Sequence, residues 1–174
     1  MSCYRRSNVA GGSYFFTVVT ERRQRILTDD VFRLALREAI HQVRRERPFQ
    51  IEAWVLLPDH LHTIWTLPVG DADFATRWRL IKSAVTRSVG EHYFRSTWQT
   101  RRREHKRCGT IWQHRYWEHL LKDEDDFRHH VDYVHFNPVK HGLVARACDW
   151  PYSTFHRLVA QGVYPEGWSG VSCD

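Results

Sequence analysis

Aromatic and β-branched residues run from Tyr14 to Val19 behind Gly11-Gly12 and predict a first strand ending near Thr20. From Val31 to about Arg47 the period changes. Val31, Leu34, Ala35, Ala39 and Val43 recur at helical spacing, Asp29-Asp30 stands at the amino end, and Pro48 marks the stop. Two strand-like runs follow, Phe49 to Leu56 and His60 to Leu67. Leu57-Pro58-Asp59 joins them in the pattern of an antiparallel hairpin. Asp71-Ala72-Asp73 opens a second helix that carries Trp78, Ile81, Val85 and Val89. The basic stretch from Arg95 to Arg107 then reads as an exposed arm or a helix extension. Ile111 to Leu121 alternates loosely and predicts a fourth strand. The acidic residues Asp123 to Asp126 suit the amino end of a third helix, which carries His130, Tyr133 and Asn137 and meets Pro138.

This order, β-α-β-β-α-β with a further C-terminal helix, predicts an α+β fold. The expected form is a ferredoxin-like antiparallel sheet with helices on one face. A chain of 174 residues is expected to make one domain, 1–174, with a C-terminal extension of loop and short helix from about Asp149. The uncharged apolar runs are far shorter than the about 20 residues a membrane span needs, so no membrane partner is expected. Met1 to Arg6 lacks the apolar segment of a secretory signal, which predicts a cytoplasmic protein. Cys3, Cys108, Cys148 and Cys173 form no C-x-x-C pair, which argues against a zinc ribbon or a disulfide framework.

The formal charge of +6 suits a polyanionic partner, although many basic proteins bind none. Arginines at Arg22-Arg23, Arg44-Arg45 and Arg101-Arg102-Arg103 are candidates for tracking phosphates. Arg5 and Arg6 beside Tyr4 are candidates for reading unpaired bases.

Two elements carry chemistry. On a strand, His60 and His62 point to the same side, at a separation one cation can bridge. The alternative is two hydrogen-bonded histidines with no ligand. On a helix, Tyr133 and Asn137 at i and i+4 project together about 6 Å apart along the axis, with His130 on the same side. Asn137 is placed to add a neutral amide oxygen to the imidazoles while Tyr133 reaches a phosphorus; the alternative is a half-buried tyrosine above a helix-ending Asn-Pro. Taken together, two imidazoles and an amide leave coordination positions open, which suits Mg2+ or Mn2+ better than a closed zinc site. Among the other tyrosines, Tyr116 is the rival nucleophile.

Leu57-Pro58-Asp59-His60-Leu61-His62 resembles the signature of the HUH single-strand DNA endonucleases. Val131-Asp132-Tyr133, then Asn137-Pro138-Val139-Lys140-His141-Gly142 and Asp149-Trp150-Pro151-Tyr152-Ser153-Thr154-Phe155, resemble the REP-associated tyrosine transposases, over nearly the whole chain. The resemblance implies cleavage and transfer of single-stranded DNA beside REP-type hairpins. It further implies a 5′-phosphotyrosine on Tyr133, a divalent ion on His60, His62 and Asn137, and a nucleoid-associated protein acting as a monomer rather than a dimer. The stretch from Glu91 to Cys108 is longer and more basic than the family pattern leads one to expect. Two other classes remain open, a non-catalytic hairpin-binding protein and a small zinc hydrolase built on the histidine pair.

Overall fold

The computed structural model describes residues 9–105 and 109–170, without the side chains of Arg102 and Arg103. Tyr4, Arg5 and Arg6 therefore lie outside the described residues. The elements in chain order are β1 (Ser13–Val19), α1 (Asp30–Glu46), β2 (Gln50–Leu56), β3 (His60–Thr66) and α2 (Phe74–Tyr93). They continue with α3 (Arg101–His105), β4 (Trp117–Leu120), α4 (Glu124–Lys140) and α5 (Phe155–Ala160). One four-stranded sheet in the order β2-β3-β1-β4 is antiparallel throughout. This is the expected α+β arrangement.

The two sheet faces are both covered, which explains why β1 reads as a nearly continuous apolar run. Tyr14, Phe16 and Val18 of β1, with Leu61 and Trp65 of β3, pack in a core with α1 and α2. There the rings of Trp65 and Trp78 stack at 4.2 Å. The alternate residue Phe15 belongs with Ala53, Val55 and Ile64 to a second core under α4 and the C-terminal segment. The expected helices on one face are α1 and α2, and α4 lies across the sheet from them.

Local chemistry fixes the helix ends. Asp73 Oδ1 accepts from Thr76 N at 3.0 Å and caps α2, while Asp71 is taken by the buried guanidinium of Arg77. Asp123 caps α4 by accepting from Asp126 N at 2.8 Å. Pro138 does not end this helix, contrary to the sequence expectation. It withholds one N–H, but His141 N donates to Asn137 O at 3.0 Å and Leu143 N to Pro138 O at 2.9 Å, so the turn closes beyond it. Gly142, at φ 65°, supplies the left-handed residue that stops the chain there.

Two further expectations change. The fourth strand is confined to Trp117–Leu120, with Trp112 joined to Thr20 only by an isolated bridge. The basic stretch does not extend α2, which stops at Tyr93; it forms a turn and the short helix α3, with Arg101 exposed. The C-terminal segment is tied in place. Ser153 bridges Val55 on the free edge of β2, Trp150 Nε1 donates to Leu56 O at 3.0 Å, and the Tyr164 hydroxyl donates to the Asp132 carboxylate on α4. Among the described residues no helix is long and apolar enough to cross a membrane.

Candidate active site

His60 and His62 stand on the β3 face turned toward α4, since their neighbours Leu61 and Trp65 belong to the opposite core. Both are buried, at 5% and 3% exposure, and their rings meet edge to face with centroids 4.9 Å apart. Each has its Nδ1 engaged. Asp59 Oδ1 lies 2.7 Å from Nδ1 of His60, and a carboxylate only accepts, so that nitrogen carries the proton and Nε2 keeps its lone pair. Thr17 Oγ1 lies 2.8 Å from Nδ1 of His62 and serves the same end when its oxygen accepts. Arg23 approaches the first pair, 3.4 Å from Asp59 Oδ2.

Burial keeps the imidazoles neutral. It pushes His60 below the usual range even against the neighbouring Asp59 carboxylate. It lowers His62 to about 3, with His60 and His141 adding to the shift. Neutral imidazoles are the form that binds metal.

α4 brings the remaining groups. The Asn137 amide lies against the His62 ring. Its Nδ2 donates to Tyr133 O at 3.0 Å, which fixes the orientation of the amide and leaves Oδ1 turned away from the helix backbone. Asn137 Oδ1 and His62 Nε2 are both buried without a hydrogen-bond partner. Two desolvated acceptors of this kind are costly unless a cation satisfies them, so the donor set fits a divalent ion. Tyr133 is 39% exposed, its ring edge-on to His62 at 5.3 Å and to Phe15 at 5.8 Å. Lys140 places its ammonium 4.7 Å from the centroid of the Tyr133 ring. Buried acceptor atoms beside a half-exposed tyrosine suit attack on a phosphate that arrives from solvent.

Tyr116 is on the wrong side of the sheet for this chemistry. Its ring lies 6.0 Å from those of Phe16 and Trp78, in the core with α1 and α2. Arg101 is exposed on α3 and makes no described contact with the site.

Comparison with known proteins points the same way. The family model for IS200-like transposases matches residues 8–137. The chain belongs to this family. A REP-associated tyrosine transposase of Escherichia coli (strain K12) is 49% identical over 100% of this chain and 94% of its own. A Haemophilus influenzae relative is 41% identical over 98% of this chain and 94% of its own. The solved structure of a REP-associated tyrosine transposase bound to a REP hairpin superposes with a TM-score of 0.83 at 48% identity, covering 100% of this chain and 94% of that one. The chain is thus a transposase, an enzyme that cleaves and joins DNA, and a divalent-metal dependence goes with the family.

Several residues of the candidate site were not singled out in the sequence. Lys140 and His141 continue the α4 face that carries Tyr133 and Asn137, and the same helical spacing reaches them. His141 packs its ring 5.1 Å from that of His60. Thr17 had no such signal, because only the β1–β3 register sets it opposite His62.

Beside this group, His119, Asp126 and His130 form a second cluster whose ligand atoms all lie within 4.8 Å of one another. The two imidazoles are stacked, with an interplanar angle of 21°. In-plane lone pairs on near-parallel rings do not converge on one cation, so the cluster reads as a carboxylate clamped between two ring donors.

Proposed function

We propose that this transposase cuts single-stranded DNA beside REP-type hairpins, with Tyr133 attacking the scissile phosphate. The products are a 5′-phosphotyrosine and a free 3′-hydroxyl, and strand joining is the reverse attack. One observation carries the reading. A half-exposed tyrosine lies edge-on to a buried histidine whose unpartnered Nε2 accompanies an unpartnered amide oxygen from the tyrosine's own helix.

His60, His62 and Asn137 hold Mg2+ or Mn2+, whose chemistry when bound is to polarise the phosphate and offset the charge of an in-line displacement. Asp59 and Thr17 keep the two imidazoles turned for that purpose, and burial keeps them neutral. Tyr133 supplies the nucleophile, and Lys140 sets a positive charge against its ring. Asp59 hydrogen-bonds His60 instead of joining the donor set, which leaves a zinc hydrolase without a charged third ligand and favours the tyrosine reading.

The hairpin substrate is supported by the solved relative bound to a REP hairpin. Arg101, Arg102 and Arg103, with Tyr4, Arg5 and Arg6, are the basic and aromatic groups assigned to the DNA strand. Tyr133 reaches His62 of its own chain, an arrangement that calls for no second copy and supports a monomer, and residues 1–174 act as one catalytic unit at the nucleoid.

The test incubates the purified chain with an end-labelled hairpin oligonucleotide carrying single-stranded flanks. A covalent adduct on the 5′ product, dependent on Mg2+ or Mn2+ and absent in Tyr133→Phe, is expected. An adduct that survives Tyr133→Phe, or forms equally in EDTA, overturns the reading.

A further inference from the structure

We propose that His130 is the general base that takes the phenolic proton of Tyr133, and that Asp126 holds it in the form the task needs. The inference rests on Tyr133 being the nucleophile.

Free tyrosine, with a pKa of about 10, is a poor nucleophile at neutral pH unless a neighbour removes its proton during attack. The groups already assigned are unsuited to that step. His60 and His62 have their Nδ1 atoms engaged and their Nε2 atoms reserved for metal. Lys140 sets its Nζ over the face of the Tyr133 ring, Asp59 is committed to His60 and Arg23, and Asp132 accepts from Tyr164.

His130 lies one helical turn before Tyr133 and borders the same open cavity of about 370 Å³, whose other walls are Phe15, Thr17, Trp117 and His129. Its tautomer is fixed twice. Nδ1 is 2.9 Å from the backbone oxygen of Asp126 and 3.0 Å from Asp126 Oδ1. Both partners only accept, so Nδ1 carries the hydrogen and Nε2 the lone pair.

The carboxylate is itself immobilised. Asp126 Oδ2 accepts from Lys122 N at 3.0 Å and from His119 Nε2 at 2.9 Å. The His130 ring is flanked by the His119 imidazole, with centroids 4.8 Å apart, and by Phe15, also at 4.8 Å. A carboxylate that orients an imidazole whose second nitrogen is free, in the cavity of a nucleophilic hydroxyl, is the logic of an acid–base–nucleophile triad. His129 borders the same cavity, but no described residue orients its ring.

The step balances as follows. The Tyr133 O–H bond breaks as the Oη–phosphorus bond forms, and the proton passes to Nε2 of His130. The phosphorus–O3′ bond breaks with its electron pair on oxygen, and water protonates the 3′-oxygen. The resulting hydroxide takes up the proton that the imidazolium releases. In strand joining the O3′–phosphorus bond forms as the Oη–phosphorus bond breaks; water takes the proton of the attacking 3′-hydroxyl, and His130, protonated again from water, gives that proton to the departing Tyr133 oxygen.

The experiment measures single-turnover adduct formation on a hairpin oligonucleotide at saturating protein and Mg2+, together with hairpin affinity and melting temperature. His130→Gln is expected to slow adduct formation about 100-fold or more, the usual worth of a positioned base, with affinity and melting within error of the parent. His130→Ala is expected to recover at least tenfold in added imidazole, which a packing role would not do. Asp126→Asn is expected to fall between the two. A His130→Gln rate within threefold of the parent, a loss without imidazole rescue, or a loss confined to His129→Gln overturns the assignment. Tyr133→Phe run in parallel separates the failures, because an adduct from that variant removes the nucleophile itself, whereas its absence leaves only the base in question.

Discussion

Thr17 and His62 are registered partners across the β1–β3 ladder, and Thr17 Oγ1 lies 2.8 Å from Nδ1 of His62. The hydroxyl is therefore set by sheet pairing, and the imidazole it orients presents Nε2 toward α4. Replacing Thr17 with Val keeps the shape and removes the partner. Metal affinity, read by Mn2+ titration, is expected to fall about 10- to 100-fold with little change in melting temperature. Unchanged affinity would show that the strand alone orients the ring.

Asn137 contrasts function with stability. Its Oδ1 is buried and unpartnered, a cost of about 1–3 kcal/mol in the metal-free chain. Asn137→Leu is expected to leave metal-free stability unchanged or higher while lowering Mn2+ affinity and adduct formation at least tenfold. Chemical denaturation with and without the ion reads both effects, and a destabilised metal-free variant would refute the account.

Arg77 is an internal tie far from the chemistry. At 1% exposure it donates to the carbonyls of Arg47, Pro48 and Asp73 and to both carboxylate oxygens of Asp71. Arg77→Met strands those acceptors and is expected to cost about 3–5 kcal/mol in a denaturant titration. Arg77→Lys is expected to recover only part of the loss, because an ammonium cannot reproduce the planar fork.

Stability of the metal-free chain is expected to fall on acidification. His135 is wholly buried, with Nε2 2.9 Å from Thr154 Oγ1, and burial, assisted by Arg157, lowers it to about 4. His62 is lowered to about 3. Both folded values lie below the ordinary imidazole value near 6.5, so the unfolded chain takes up protons first as pH falls. The stabilisation is complete above about pH 6.5 and is lost from there down to about pH 4 for His135 and about pH 3 for His62, at up to about 1.4 kcal/mol per pH unit for each group. Denaturant midpoints across that range test the slope, and His135→Gln should flatten it.

The histidine pair and the tyrosine helix were legible because each obeys a local period. Residues two apart on a strand share a face, and so do residues four apart on a helix, so His60 with His62 and Tyr133 with Asn137 followed from spacing. Where local signals misled, the reason was equally physical. Asn137-Pro138 looks like a helix end, yet the loss of one backbone donor did not outweigh the capping bonds that Leu143 and Gly142 supply beyond it. The run from Ile111 to Leu121 looked like one strand, but only Trp117–Leu120 pairs with β1.

By itself, then, the sequence determined the order of elements, the face on which each reactive residue stands and the chemistry it offers, since all of these depend on residues a few positions apart. Tertiary structure decided which faces meet. It set α4 against the histidine side of the sheet, placed Thr17 opposite His62 through strand register, consigned Tyr116 to the other core and laid Phe15 against His130. Those relationships join residues tens of positions apart, or depend on which face of the sheet α4 covers, and no local period encodes them.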